Sequence, residues 1–264
     1  AQDSGSGIRL VGPFRDFGIM ASYLVLSIPV FLAQFWKWVK EEGSGKKALY
    51  FALLAGCCLI LLYLTRTRGA ILALGVSILF LFVYKRWFKA LGGAFLLGLA
   101  MLAILPQNVI IHKDAQGKEQ SFVERVELWK RAVQVIQAKP WTGTGINTYN
   151  VAHAKYDKEQ NWRVRGYYAH NGYLQLAAET GIPCILTLCA FLGIFFYKAL
   201  RHIKKLGDDP EALMQLGILT GLLAFLIYAL VDTNLQSPQS LVSFWFMAGI
   251  LLARQKIVPG GSKA

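Results

Sequence analysis

Two arginines one residue apart, Arg66 and Arg68, stand between two long apolar runs in Leu64-Thr-Arg-Thr-Arg-Gly-Ala70. A guanidinium offers a planar fork of donors that matches the oxygens of a phosphate. The connection is too short to let either side chain leave the ends of the runs. Two uses stay open: snorkelling to lipid headgroups, or holding a lipid-linked diphosphate. A second candidate is His170-Asn171, which directly precedes the apolar stretch Gly172–Ala178 and then Glu179. Histidine is the side chain most easily tuned to act as a base near neutral pH. Gly181 and Pro183 then interrupt the run, and a broken helix at membrane depth is tolerated where it lines a cavity. Glu179 is nine residues from His170, on roughly the opposite side of a regular helix, so direct contact is not expected. Asp232 and Asn234 close another apolar run, and Arg9 and Arg15 precede the first one. No phosphate-cradling glycine loop, metal-ligand cluster or nucleophilic Ser or Cys motif is present, so neither metal nor cofactor is expected.

These residues need elements to hold them, and composition says which kind. Of the 264 residues 55% are hydrophobic and only 16% charged, against roughly 25% charged in soluble domains; the mean hydropathy is +0.42. The charges sit between long runs free of Lys and Arg. Phe17–Trp38, Ala48–Leu64 and Leu213–Val231 approach the length of a membrane span, and Ala90–Leu105 is shorter. Gly172–Tyr197 is longer but interrupted, and Ala70–Tyr84 and Leu241–Ala253 are short. The expectation is an all-α, polytopic membrane helix bundle of about seven spans. It forms one membrane domain over residues 1–264, with a structured loop at 106–169. The chain opens at Ala1 on a polar stretch that leads into a span, and is expected to be a piece of a longer membrane protein that lacks N-terminal spans. All four cysteines, Cys57, Cys58, Cys184 and Cys189, lie inside apolar runs and read as packing residues.

Short cytoplasmic loops collect Lys and Arg. Lys37–Lys47, Tyr84–Lys89, Lys198–Lys205 and the tail with Arg254, Lys256 and Lys263 are such segments, and they alternate with the rest. Placing them in the cytoplasm sends 1–16, Thr65–Arg68, the long loop and Asp232–Gln239 to the other face. Arg9, Arg15, Arg66, Arg68, His170 and Asp232 then share that face, under a topology derived from other residues. The net charge of +13 is divided among loops on both sides rather than gathered in one stripe, which argues against nucleic acid.

Within the long loop, Ser121-Phe-Val-Glu124 has the form of a capping box. Phe122, Val126, Trp129, Val133 and Ile136 follow at helical spacing and predict one apolar face, with Glu124, Glu127, Lys130, Arg131, Gln134 and Gln137 opposite. The reading is an amphipathic helix, ended by Pro140, that lies on the membrane surface or against the bundle. Gly143-Thr-Gly145 suits a tight turn. Tyr149, Tyr156, Trp162, Tyr167 and Tyr168 suit an interface, or stacking on sugar rings.

Read together, Arg9-Leu-Val-Gly12-Pro-Phe, Thr65-Arg-Thr-Arg-Gly-Ala70, Arg125-x-x-x-Trp129 with Lys139-Pro-Trp-Thr-Gly-Thr-Gly145, and His170-Asn-Gly-Tyr-Leu with Glu179-Thr-Gly181 resemble the O-antigen ligase and polymerase family. The resemblance runs from Arg9 to the last span in the family's order. It departs at Arg15-Asp-Phe-Gly18, where the family often carries Asn-Pro-Asn. The resemblance implies a multi-pass bacterial inner-membrane protein whose site faces the periplasm. It implies metal-free transfer of a glycan from an undecaprenyl diphosphate carrier to an acceptor, a glycan or lipid A-core. Arg66 and Arg68 match the arginines proposed to hold the diphosphate, and His170 the histidine proposed to activate the acceptor hydroxyl.

The expected reaction is therefore an inverting, metal-independent glycosyl transfer. His170, Arg66 and Arg68 are the catalytic candidates. Arg9, Arg15, Asn171, Glu179 and Asp232 are candidates for substrate binding. Membrane lipids are expected partners. A polymerase joining repeat units on the same carrier is the nearest rival. A transporter with the arginines as an anion path would need polar residues through both halves, and a structural membrane subunit would use the long loop for docking.

Overall fold

The computed structural model describes residues 2–3, 8–9, 12–14, 16–41, 44–86, 120–156 and 168–257. The predicted span Ala90–Leu105, Arg15, Trp162 and Tyr167 lie outside them. Nine α-helices are described: α1 Phe17–Lys40, α2 Gly45–Leu64, α3 Arg68–Tyr84, α4 Gln120–Ala138, α5 Tyr149–Ala152, α6 Gly172–Thr180, α7 Ile182–Leu206, α8 Pro210–Tyr228 and α9 Pro238–Ile257. The strands among the described residues are β1, Gln2–Asp3, and β2, Ile8–Arg9, a two-residue antiparallel pair.

The protein is a helical membrane bundle. Among the described residues α1, α2, α7 and α8 are long and apolar enough to cross a membrane. Helix α3 is apolar but has 17 residues, and α9 is long but polar at both ends. At the centre stands α8, packed against α1, α3, α7 and α9. Leu216, Ile218, Leu219, Leu222 and Phe225 are all fully buried along it.

A hydrocarbon solvent gives helices no hydrophobic reason to associate, so close backbone approach must supply the contact. Gly217 and Gly221, one turn apart on α8, do this against α1. A Cβ on Gly217 would sit 2.5 Å from the Ala33 Cβ and 2.9 Å from the Pro29 carbonyl oxygen, and one on Gly221 would strike the Leu26 carbonyl oxygen. Pro29 leaves α1 helical throughout its 24 residues.

The chain direction sorts the charges. The ends of α1 and α3 meet the start of α8 at a small cavity of about 60 Å³ lined by Lys37, Lys40, Lys85, Asp208 and Asp209. There Lys47 lies 4.0 Å over the Trp38 ring, and Arg254 near the end of α9 grips Glu211 of α8 with two contacts of 2.5 Å. Each of these elements belongs to one end of the bundle, the basic end. The turns at 65–67 and 229–237 and the start of α1 belong to the other.

Two expectations need correction. The stretch Gly172–Tyr197 is interrupted at Gly181 as expected, but its first part is a separate nine-residue helix and does not belong to the spanning helix. Gly181 takes φ 84° and ψ 166°, and a second helix begins beyond it with Pro183 near its N-terminus. The spanning helix is α7, which runs on to Leu206. The amphipathic helix exists as α4, but its buried stripe is Leu128, Arg131, Ala132 and Val135; of the predicted face Ile136 packs half-buried against that core, and Val126 and Trp129 are half-buried. Val133 is exposed, and Arg131, expected on the polar face, is buried beside Glu127 at 3.4 Å. The helix docks on protein rather than on a plain apolar surface, so a paired guanidinium can take a core position. Ser121 lies inside α4, so it does not flank the helix as a capping box requires.

Gly221→Ala should force α1 and α8 apart. The expected outcome is a loss of about 1–3 kcal/mol, read as a lower unfolding temperature of the detergent-solubilised protein. Gly193→Ala on α7, where an added Cβ meets nothing within 4 Å, should leave that temperature unchanged.

Candidate active site

Beyond the last turn of α2 the chain must reverse within three residues, and Thr65-Arg66-Thr67 does so with the threonines in and the arginines out. Thr65 and Thr67 are buried, while Arg66 and Arg68 are exposed. The Thr65 hydroxyl donates to the Leu62 carbonyl at 2.7 Å, and its oxygen accepts from the Thr67 N–H at 3.3 Å. Arg66 has φ 52°, a left-handed backbone that costs a non-glycine residue roughly 1–2 kcal/mol. Arg68 opens α3, whose first turn has no side-chain cap. The positive end of its helix dipole lies beside both guanidiniums.

The first turn of α3 is seated directly on the end of α8. A Cβ on Gly69 would fall 2.6 Å from Val231 Cγ2 and 3.5 Å from the Tyr228 ring. Fully buried Tyr228 donates its hydroxyl proton to the Asp232 carboxylate, whose other oxygen accepts from the Thr233 N–H at 2.6 Å. From the far side comes the start of α1. Asp16 caps it, accepting from the Ile19 N–H at 2.8 Å. A Cβ on Gly18 would lie within 3.4 Å of Asp16 Oδ1, Asp232 Oδ2 and the Tyr228 hydroxyl alike. The two carboxylates and the phenol thus converge over one glycine.

His170 is brought to the same place by a separate docking. The Gly172 N–H donates to the Ala229 carbonyl at 2.8 Å, and Gln236 Nε2 donates to the Gly172 carbonyl at 2.9 Å. Tyr173 donates its hydroxyl to the Leu226 carbonyl at 2.8 Å. Asn171 caps α6, its Oδ1 accepting from the N–H groups of Tyr173 and Leu174. His170 itself has φ 47°, and its carbonyl accepts from Trp129 Nε1 at 3.4 Å. Burial pulls the imidazole below its ordinary value of 6.5; the Asp232 carboxylate opposes that, the Arg125 guanidinium adds to it, and the Asp16 carboxylate opposes it. The same Arg125 and Asp16 act on Tyr228.

The structure therefore places Arg66, Arg68, His170 and Asp232 at one end of the bundle, around the end of α8. Arg9 is described through its backbone alone, paired with Gln2 in β2. Glu179 faces inward: it is buried, and its Oε1 accepts from the Tyr149 N–H and from Gln175 Nε2, each at 3.3 Å. Sequence reasoning did not single out Tyr228, Asp16, Arg125 or Trp129 for the site. A signal existed for Tyr228, which stands four residues before Asp232 and so on the same helix face. Arg125 and Trp129 share that spacing.

The loop chain is tied to the helix break by its backbone. Thr144 N–H donates to the Ala178 carbonyl, Gly145 N–H to that of Glu179, and Ile182 N–H to that of Pro140. Gly143, with φ 65°, has no room for a Cβ, which would strike the Glu179 carbonyl. Among the described residues no group of three or more His, Cys, Asp or Glu side chains could hold a metal ion.

A family described as O-antigen ligase matches residues 50–189, a little over half of the chain. The chain is 24% identical over 249 residues to the exopolysaccharide production protein ExoQ of Rhizobium meliloti, covering 91% of this chain and 50% of that protein. It is 25% identical over 149 residues to the general O-oligosaccharyltransferase of Acinetobacter baylyi, covering 56% of this chain and 25% of that protein. The chain thus spans half or less of the length of the curated relatives it matches.

Asp232→Asn removes the carboxylate that holds the His170 pKa up. The imidazole should then titrate at a lower pH than in the wild type, as read from the histidine resonances of isotope-labelled protein.

Proposed function

The chain belongs to the O-antigen ligase family, and on that premise we propose that it is a metal-independent, inverting glycosyltransferase acting on a lipid diphosphate-linked glycan. The donor is an undecaprenyl diphosphate glycan, and the acceptor is a sugar hydroxyl, on lipid A-core or a similar glycan. The site faces the periplasm of a bacterial inner membrane. The observation that carries the reading is the convergence of the Arg66–Arg68 turn and His170 on the end of α8. The clustering of Lys and Arg at the opposite end supports the orientation, since cytoplasmic loops collect positive charge.

The chemistry follows from the placement. The diphosphate lies against Arg66 and Arg68 at the positive end of the α3 dipole. The imidazole of His170 is held neutral by burial, and takes the proton from the acceptor hydroxyl. The acceptor oxygen attacks the anomeric carbon from the face opposite the diphosphate. The carbon–oxygen bond to the diphosphate breaks as the new glycosidic bond forms, so the anomeric centre inverts. Charge building on the leaving diphosphate meets guanidiniums already in place, the kind of preorganised stabilisation that usually contributes most.

A second reading is chain growth, in which the acceptor is another carrier-linked glycan. It is favoured by the similarity to an exopolysaccharide production protein over 91% of this chain. Both readings use the same donor, base and arginines, and differ in the acceptor.

With purified full-length protein in lipid vesicles and a carrier-linked glycan donor, His170→Ala should lower kcat by about 10²–10⁴-fold without loss of membrane insertion. Undiminished transfer by that variant would remove the base. Arg66→Ala should lower kcat by about 10²-fold, and Arg66→Lys should recover only part, because an ammonium cannot make the bidentate fork. The acid limb of kcat/KM should fall below pH 6.5, the ordinary histidine value, since the imidazole gains its proton only below that pH. An acid limb at or above 6.5 would contradict the neutral-base assignment.

A further inference from the structure

A left-handed backbone at a non-glycine residue persists only where its surroundings over-determine it, so His170 at φ 47° needs holding on both sides. After it, the Gly172 N–H is fixed by the Ala229 carbonyl. Before it, the Ala169 N–H, fully buried, donates to Gln175 Oε1 at 3.1 Å. Gln175 is 1% exposed and reaches back from the first turns of α6. Its other amide atom, Nε2, donates to Glu179 Oε1 at 3.3 Å, and the same oxygen accepts from the Tyr149 N–H. The chemistry of the two neighbours leaves little choice of side chain. A backbone N–H can only donate and an ionised carboxylate can only accept. The bridging group must therefore accept on one side and donate on the other, which a primary amide does.

We propose that Gln175 is a positioning residue: its amide, anchored on Glu179, bridges to the Ala169 N–H and locks the backbone that aims the His170 imidazole at the acceptor. The role rests on His170 as the base of the reaction proposed above. It also assigns Glu179 an inward task, as the anchor of the bridge and of the Tyr149 backbone. The loop core around Tyr149 and the catalytic segment are thereby joined through one carboxylate.

The bridge makes a specific demand that packing alone does not. Gln175→Glu keeps the volume and the acceptor for Ala169 but sets two carboxylates against each other. Combining it with Glu179→Gln exchanges the two side-chain types. Gln at 179 then offers Oε1 to the Tyr149 N–H and Nε2 to Glu at 175, which still accepts from Ala169. The donor and acceptor are reversed at the 175–179 link, and the two bonds that Glu179 Oε1 accepts in the wild type are divided between the two amide atoms of the new side chain.

The test uses the full-length protein in lipid vesicles with two readouts. Steady-state transfer should show kcat reduced by about 10²-fold in Gln175→Leu and in Gln175→Glu, the scale of a misaimed catalytic group, with the donor KM little changed. The Gln175→Glu/Glu179→Gln double variant should recover most of the wild-type kcat. Hydrogen exchange of the Ala169 amide should quicken by about tenfold in Gln175→Leu, the worth of one hydrogen bond, and return in the double variant. Wild-type kcat in Gln175→Leu, or a double variant no better than Gln175→Glu, would overturn the proposal. Unchanged Ala169 exchange in Gln175→Leu would overturn the bridge whatever the activity does. His170→Ala run alongside separates the two assignments: full transfer by that variant removes the base, while the exchange readout still judges the bridge.

Discussion

The hydrogen bond from Tyr228 to Asp232 closes α8, the most buried of the described spanning helices, and three other segments are seated on that closure. Tyr228 is fully enclosed because α8 is surrounded, so its hydroxyl must find a partner within reach, and the carboxylate four residues on supplies one. Fixing Asp232 in this way fixes what can approach it. Gly18 admits the start of α1, Gly69 admits the start of α3, and the Ala229 carbonyl receives the Gly172 N–H. At Gly69 a Cβ would force a shift, and at Gly18 it would be tight. The polar end of the bundle is thus assembled by backbone contacts around one buried phenol.

A membrane interior makes such an end unavoidable. Polar groups there lack water, so ionisable side chains gather where helices stop. The two ends of this bundle solve the problem differently. At the basic end the charges pair or stack: Arg254 with Glu211, and Lys47 over Trp38. At the other end the Asp232 carboxylate takes the Tyr228 hydroxyl, and Arg66 and His170 both stand in left-handed backbone. Arg86, in the turn after α3 at the basic end, has the same backbone with φ 54°, so what distinguishes the site end is the convergence of α1, α3 and the His170 segment on the end of α8.

The long loop has a corresponding division of labour. Helix α4 offers Trp129 to the His170 carbonyl and Arg125 to the field around the imidazole. Its far stripe, with Arg131, packs against the core around Tyr149. The turn from Pro140 to Gly145 adds three backbone hydrogen bonds to the break between α6 and α7. Loop and membrane helices are therefore one framework, in which the histidine segment is gripped from both sides.

Much of this was legible in the residues. Apolar runs with charges between them specified membrane helices, because hydrocarbon length and the cost of burying charge act on each segment separately. The same logic sorted Arg66, Arg68, His170 and Asp232 to one end, while the Arg-Thr-Arg spacing at a tight turn left lipid headgroups and a diphosphate both open as partners. Local rules stopped where contacts between distant segments decided the outcome. Periodicity chose a stripe on α4 by hydrophobicity, but docking buried another that includes Arg131, since a paired guanidinium can be buried and an exposed Val133 tolerated. The interruption at Gly181 and Pro183 was legible, but not what meets it: the Trp141 carbonyl of the long loop occupies the space a Cβ on Gly181 would need. Glu179 read as a substrate ligand from its place after the histidine; the fold turns it inward to Tyr149 and Gln175. That Tyr228 and Asp16 meet beside His170 depends on residues from opposite ends of the chain sharing one glycine, a contact only the tertiary structure could create.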